Sequence, residues 1–129
     1  MSSDLRARGI PRFSDARLGV RRQALQVAPR YGGAVELFAG EGEITELLRP
    51  QFRRVIRVDK DKRTQPDFCM TASKFISSQL AQIPDVSWLD FDPYGSAHAE
   101  LAAAIPLVPP PYILIYGDSY AMVIQRFGK

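Results

Sequence analysis

The sequence has 129 residues, which suits one domain; 46% of them are hydrophobic, enough for one core, and 24% are charged, which argues against wholesale disorder. Cys69 is the single cysteine, so no disulfide can form within the chain, which fits a reducing compartment. The first residues lack the apolar core of a secretory signal, and the longest apolar run is too short and too rich in proline to span a bilayer. We therefore expect a cytoplasmic protein without a membrane partner.

The net charge of +3 is unevenly placed along the chain. Residues 1–30 contain seven arginines and two aspartates, a balance of +5, whereas the other 99 residues contain ten basic and twelve acidic side chains, a balance of −2. A basic segment on a near-neutral body is typical of proteins that bind a polyanion, although a solvated terminus can have the same composition. We divide the chain into a basic arm, residues 1–13, and one domain, residues 14–129. The seven arginines are Arg6, Arg8, Arg12, Arg17, Arg21, Arg22 and Arg30.

Helical and β-branched segments alternate along the predicted domain. Ser14 and Ser73 are the expected caps of two of its helices. The predicted elements in chain order are a helix over 14–28, a strand over 32–40, a helix over 43–48, strands over 54–59 and 67–71, a helix over 73–83, a strand over 86–92, a helix over 97–105 and a strand over 112–117. The strands are apolar throughout, which predicts a parallel sheet with helices on both faces.

Chemistry is expected at the carboxyl ends of the strands, where open parallel sheets bind their ligands. The first strand runs into ELFAGEGE (36–43), in which Gly40 and Gly42 allow a tight turn and a close approach of the backbone to a ligand. Three glutamates flank this loop, and it lacks the lysine of a phosphate-binding loop. Asp59 ends the second strand about twenty residues further on, where a carboxylate can hold ribose hydroxyls. Acidic groups repel a pyrophosphate but suit a cationic nucleoside such as S-adenosylmethionine.

The stretch VELFAGEGEITELL followed by RVIRVDKD resembles the first two motifs of the class I S-adenosylmethionine-dependent methyltransferases, and the resemblance runs from about Gln23 to Asp118. It implies a Rossmann-like α/β core with a parallel sheet of about five strands in the order 3-2-1-4-5. It also implies S-adenosylmethionine as cofactor, with Glu36 facing its amino-acid end and Asp59 holding its ribose. The other cofactor-binding residues implied are Phe38, Ala39, Gly40, Glu41 and Gly42 in the loop, Lys60 by the adenine, Thr71, Met70, near which a backbone amide would be the adenine donor, and Asp90.

The stretch LDFDPYGSA (89–97) follows the fourth strand, where this fold binds the methyl acceptor. It is similar to the motif of methyltransferases that act on exocyclic amines of bases. We expect Asp92 and the carbonyl of Pro93 to accept the two N–H bonds of the amine, which aims its lone pair at the methyl group. Tyr94 would stack on the flipped base. The structural alternative is a turn whose Ser96 caps the following helix.

The glycine after the aromatic residue makes this motif similar to that of the tRNA N2,N2-dimethylguanosine methyltransferases, whereas adenine-N6 DNA enzymes usually carry a second proline. We therefore expect an N-methyltransferase acting on guanine N2 in tRNA or on adenine N6, with nucleic acid as partner and RNA favoured over DNA. One alternative is a non-catalytic module of the same fold that binds S-adenosylmethionine or nucleic acid within a larger complex. Another is an NAD-dependent dehydrogenase, which the missing third glycine and the acidic loop disfavour.

The end of the sequence predicts an open sheet edge. The family's sheet usually continues past the fifth strand with a helix and a hairpin, but residues 119–129 allow only one short element, so the last strands look truncated. An apolar edge invites pairing with another chain. We therefore expect a homodimer or a partner subunit, with Tyr112, Ile113 and Ile115 at the interface.

Several conspicuous side chains have simpler expected roles. Trp88 is predicted in the core, His98 on the surface and Arg57 in solvent, and no metal-ligand cluster surrounds Cys69 in the sequence. Asp118, after the last strand, could line the acceptor cleft or cap a turn.

Overall fold

A computed structural model describes residues 13–30, 32–117 and 122–128 of the chain. The basic residues of the arm up to position 12, and Asp118, lie outside the described residues. The helices are α1 (Phe13–Leu25), α2 (Glu43–Leu48), α3 (Ala72–Ser78) and α4 (His98–Ala104). The strands are β1 (Gly33–Leu37), β2 (Arg54–Asp59), β3 (Phe68–Cys69), β4 (Val86–Phe91), β5 (Tyr112–Gly117) and β6 (Met122–Phe127).

The strands form one six-stranded sheet in the order β3-β2-β1-β4-β5-β6. The first five are parallel in the predicted order 3-2-1-4-5, and β6 is antiparallel to β5. The chain leaves β1 towards β2 and β3 on one side and later returns to place β4 on the other side of β1. The point between β1 and β4 is therefore a topological switch point, the place where such sheets leave a crevice at their carboxyl edge.

Helices cover both faces of the sheet, as the uniformly apolar strands predicted. Val35 and Leu89 point into the core shared with α3 and α4. Ala34, Trp88 and Ile115 have the opposite parity and point into the core shared with α1 and α2. The side chain of Trp88 is fully buried, as expected. None of the described helices has both the length and the apolar character that a bilayer crossing requires.

Two predicted helix caps are wrong. The first helix begins at Phe13, so Ser14 lies inside it. Helix α3 begins at Ala72, because Thr71 caps it by accepting a hydrogen bond from the amide of Lys74 at 3.2 Å. Both errors shift a boundary by one or two residues and leave the helix itself in place.

The predicted open edge at β5 is wrong as well. Strand β6 pairs with β5 along its whole length, from Tyr112 opposite Phe127 to Gly117 opposite Met122. The rings of Tyr112 and Phe127 stack with centroids 4.9 Å apart. Tyr112, Ile113 and Ile115 are all buried within the chain, so they cannot form the expected interface without unfolding β6. The edge strand on this side of the sheet is β6, so an open β5 edge no longer supports the expected self-association.

Candidate functional site

Acidic residues gather at the carboxyl edge of the three central strands. In register, Glu36 on β1 lies between Arg57 on β2 and Asp90 on β4. These three have the parity of the face covered by α1 and α2. Asp59 ends β2, and Asp92 follows β4 directly. The strand order thus places the sequence-predicted acids around one switch point.

The loop after β1 is built from left-handed backbone. Phe38, Gly40 and Gly42 have φ angles of 67°, 59° and 103°. A non-glycine residue in this region costs free energy and is held there by its surroundings. A Cβ atom built on Gly40 would meet no atom within 4 Å, so the space beside this part of the loop is open. Ligand backbone or ring atoms could approach Gly40 closely.

Asp59 fixes this loop to the end of β2. Its Oδ2 accepts a hydrogen bond from the amide of Gly40 at 2.9 Å, and its Oδ1 accepts one from the amide of Asp61 at 2.8 Å. A carboxylate has about four lone-pair positions, so each oxygen can accept a further bond. Asp59 is therefore a loop anchor that can still bind hydroxyl groups.

Arg57 is the second anchor of the loop, and the expectation that it is solvated is wrong. Its side chain is buried and donates from Nη2 to the carbonyl of Gly40 at 2.6 Å and from Nε to Thr45 Oγ1 at 3.1 Å. Its Nη1 donates to the carbonyls of Thr64 and Gln65, both at 2.9 Å. Arg57 therefore joins the turns after β1 and β2. Its place inside the apolar strand segment VIRVD was the available sequence signal.

Glu36 is a buried acid, only 2% exposed. It accepts a short hydrogen bond from the hydroxyl of Thr45. Burial raises the pKa of Glu36 to about 8, and the charge of Asp90 adds to this rise, although Thr45, Arg57 and Arg21 oppose it. At neutral pH most molecules therefore carry Glu36 in its protonated form.

Asp90 is held by a buried arginine from helix α1. Arg21 is fully buried and donates from Nε to Asp90 Oδ2 at 2.9 Å and from Nη2 to Asp90 Oδ1 at 2.6 Å. The indole Nε1 of Trp88 donates to Asp90 Oδ2 at 3.0 Å. Burial alone would lower the pKa of Arg21, but the charge and hydrogen bonds of Asp90 raise it above its ordinary value. These contacts give Asp90 a structural partner, and its cofactor-binding role stays a prediction.

Asp92 is paired with Arg17, which lies one helical turn before Arg21 in α1. Arg17 donates from Nε to Asp92 Oδ1 at 3.0 Å and makes a second, short contact from Nη2 to Oδ2. Arg21 Nη2 lies 3.9 Å from Asp92 Oδ1, and Arg17 Nη1 lies 3.8 Å from Glu43 Oε1. The sequence suggested that these arginines belong to a basic segment for a polyanion. Instead, their side chains reach the acids at the end of β4.

The turn after Asp92 presents an aromatic ring to solvent. Tyr94 is fully exposed, and a Cβ atom on Gly95 would meet no atom within 4 Å. The turn is anchored behind them, because the hydroxyl of Tyr116 accepts a hydrogen bond from the amide of Ala97 at 2.9 Å. His98 is exposed as expected, and its ring stacks on Tyr116 at 5.5 Å. The following helix has no side-chain cap, so the capping role considered for Ser96 is not observed.

The remaining predicted cofactor residues lie beside β3. Lys60 and Thr71 are exposed, and Thr71 uses its hydroxyl as the helix cap. The amide of Met70 itself donates to the carbonyl of Asp59 at 3.1 Å, so an adenine donor near Met70 would have to be another amide, and this contact stays a prediction. In the loop, Glu41 is exposed. Ala39 is buried.

Comparisons with protein-family models, with curated proteins and with solved structures found no match to this chain. Within the described ranges, no group of three or more histidine, cysteine, aspartate or glutamate side chains is arranged to hold a metal ion.

Proposed function

We propose that the protein is an S-adenosylmethionine-dependent N-methyltransferase that acts on an exocyclic amine of a nucleic-acid base, guanine N2 in tRNA or adenine N6. The observation that carries this proposal is the junction of Asp59 with the 38–42 loop beside the Asp92–Tyr94 turn, at the switch point of a parallel sheet. A nucleoside site and an amine-binding turn then share one edge.

The residues present fit the proposed cofactor. Asp59 has acceptor capacity left for the two ribose hydroxyls, and the space beside Gly40 is open for the nucleoside. Glu36 would face the amino-acid end once it loses its proton. When bound, the cofactor supplies an electrophilic methyl group on a sulfonium sulfur.

The turn after β4 would orient the acceptor amine. An exocyclic amine is a weak nucleophile because its lone pair is delocalised into the ring. Hydrogen bonds from its two N–H groups to Asp92 and to the carbonyl of Pro93 would favour a pyramidal nitrogen whose lone pair points at the methyl group. Tyr94 is already exposed where a flipped base could stack on it. The amine gives up one proton after transfer, and water can accept it.

Methylation of mixed tRNA and DNA with labelled cofactor, followed by mass analysis of the nucleosides, tests the proposal. Asp92→Ala should lower the rate by roughly a hundredfold or more. It should leave cofactor affinity nearly unchanged, because Asp92 is not expected to touch the nucleoside. The control is Asp85→Asn, at an exposed aspartate before β4. Wild-type activity in Asp92→Ala, or binding of NAD without binding of S-adenosylmethionine, would contradict the proposal.

A non-catalytic module of the same fold is the second candidate. The observation in its favour is that Asp90 and Asp92 are mostly buried and both paired with arginines of α1, which limits the access of an amine to either carboxylate. This candidate predicts cofactor or nucleic-acid binding without any methylated nucleoside in the same experiment.

A further inference from the structure

Arg17 is paired with Asp92, the carboxylate that would bind the amine in the proposed reaction. Its guanidinium contacts both oxygens of Asp92, and only 14% of the Asp92 side chain is exposed. A paired arginine and carboxylate in this two-point geometry satisfy each other's strongest hydrogen bonds. Each oxygen still has a lone pair to offer, but an incoming amine has to reach a carboxylate that is mostly buried and already paired with Arg17.

Arg17 and Arg21, two of the three arginines of α1, differ in how deeply they are buried. Arg21 is fully buried, and it is fixed by Asp90 on one side and by the carbonyl of Arg17 at 3.0 Å on the other. Removing it from Asp90 would leave two buried charges without partners, at a large cost. The Arg17 side chain is 18% exposed and lies one turn closer to the basic arm. Of this pair, Arg17 is the one whose departure from its carboxylate costs less, because its side chain is not fully buried.

A phosphodiester is the ligand that could take Arg17 away from Asp92. Phosphate and carboxylate both offer two oxygens at a spacing that fits the guanidinium fork, and phosphate is a common arginine partner in nucleic-acid complexes. A base that stacks on Tyr94 brings its backbone phosphates to the same edge of the sheet. A free nucleoside brings no phosphate.

We propose that Arg17 is a specificity-determining residue that exchanges Asp92 for a backbone phosphate, so that the acceptor carboxylate is released only when a polynucleotide is bound. This inference rests on the proposed function. Arg17 itself touches neither the reacting amine nor the methyl group, and its role is to make the site selective for polymer over monomer.

Steady-state kinetics with an RNA oligonucleotide and with the free nucleoside test the exchange. Arg17→Ala should lower the ratio of the two kcat/KM values, oligonucleotide over nucleoside, by about tenfold or more. The reason is that Asp92 becomes accessible to the monomer while a phosphate contact is lost. Arg53→Ala is the control, because Arg53 is exposed and lies before β2, at the opposite edge of the sheet, and it should leave that ratio unchanged. An equal loss on both substrates in Arg17→Ala would mean that Arg17 only positions Asp92, and the inference would be overturned.

A binding experiment separates this inference from the proposed function. An abasic oligonucleotide carries phosphates but no base, so it reports on phosphate contacts without base stacking, and the comparison of variants isolates that of Arg17. Asp92→Ala removes the competitor for Arg17 and should tighten binding of this probe several-fold over Asp85→Asn, which removes the same charge elsewhere. Adding Arg17→Ala to Asp92→Ala should abolish the gain and reduce the salt slope by about 0.7 for one lost single-strand phosphate contact. If Asp92→Ala binds no more tightly than Asp85→Asn, the exchange does not occur, whether or not the protein methylates anything.

Discussion

Replacing Glu36 by glutamine should remove a large pH dependence from the stability of the fold. Glu36 is buried, and burial raises its pKa from 4.5 in the unfolded chain to about 8 in the folded one. Between these two values the folded protein holds a proton that the unfolded chain releases. The free energy of unfolding therefore contains a contribution that is fully present below pH 4.5 and is lost as the pH rises through 8. Glutamine has the shape of the protonated side chain and can still accept the hydrogen bond from Thr45.

The size of this loss of stability follows from the difference between the two pKa values of Glu36. Each pH unit between the two pKa values changes the free energy of unfolding by about 1.4 kcal/mol, and the slope halves as the pH reaches the folded pKa. Between pH 6 and pH 8, the wild-type protein should therefore lose about 2 kcal/mol relative to Glu36→Gln. Because other titrating groups are common to both proteins, their contributions cancel in the difference.

Urea unfolding at half-unit steps from pH 5.5 to pH 8.5 measures this difference. Glu41→Gln is the control, because Glu41 lies in the same loop but is exposed, and its stability should follow that of the wild type at every pH. Parallel curves for the wild type and Glu36→Gln across the whole range would refute the reasoning. They would mean that Glu36 is already ionised in the folded protein and that Arg57 and Arg21 outweigh its burial.

Four further substitutions test the loop after β1 and the residues that hold it in place. Gly40→Ala should lower stability by about 1 kcal/mol, because φ is 59° at this position. It should also weaken S-adenosylmethionine binding measured by calorimetry, because the alanine methyl group enters the open space beside the loop. Gly32→Ala should show the reverse, a larger loss of stability with binding retained, because its Cβ would lie 2.8 and 2.9 Å from two oxygen atoms at the opposite edge. Arg21→Met should cost about 3–5 kcal/mol in urea unfolding by leaving Asp90 buried without its partner, and adding Asp90→Asn should recover most of it. Arg57→Met should weaken cofactor binding by about tenfold in calorimetry, because Arg57 holds the carbonyl of Gly40 in the loop. The control is Arg54→Met, at the exposed first residue of β2, which should leave cofactor binding unchanged.

The sequence predicted the parallel sheet because its signals were local. Apolar runs bounded by glycine and proline can be recognised without knowing the rest of the fold. The predicted ends of β1, β2, β4 and β5 therefore lie within a few residues of the observed ends. Strand β6 was not predicted as a partner for β5, because MVIQRF can be read as a helix or a strand until its pairing is known. Ile115 on β5 is an example: its apolar character predicts that it is buried, but not whether its own chain or another chain covers it.

The acids of the candidate site could be predicted, but their partners could not. Glu36, Asp59 and Asp92 follow from their places at strand ends, and the structure brings them to one edge. Which cation meets which acid depends on how α1 docks on the sheet, and contacts 69 and 75 residues apart leave no local pattern. Arg21 was therefore read as part of a basic segment, although its side chain is a buried counterion.

These pairings change the electrostatic argument for a cationic ligand. From the sequence, several carboxylates beside a glycine loop suggested a strongly negative pocket. In the structure, Asp90 and Asp92 are paired with arginines and Glu36 is mostly protonated at neutral pH, whereas the contacts of Asp59 are to backbone amides. The negative potential that a sulfonium nucleoside would meet is therefore small in this state. It would increase if Glu36 lost its proton and if Arg17 left Asp92. Under the two proposals, the cofactor would favour the loss of the Glu36 proton and a phosphate backbone would draw Arg17 from Asp92, so both carboxylates would be available together only when both substrates are bound.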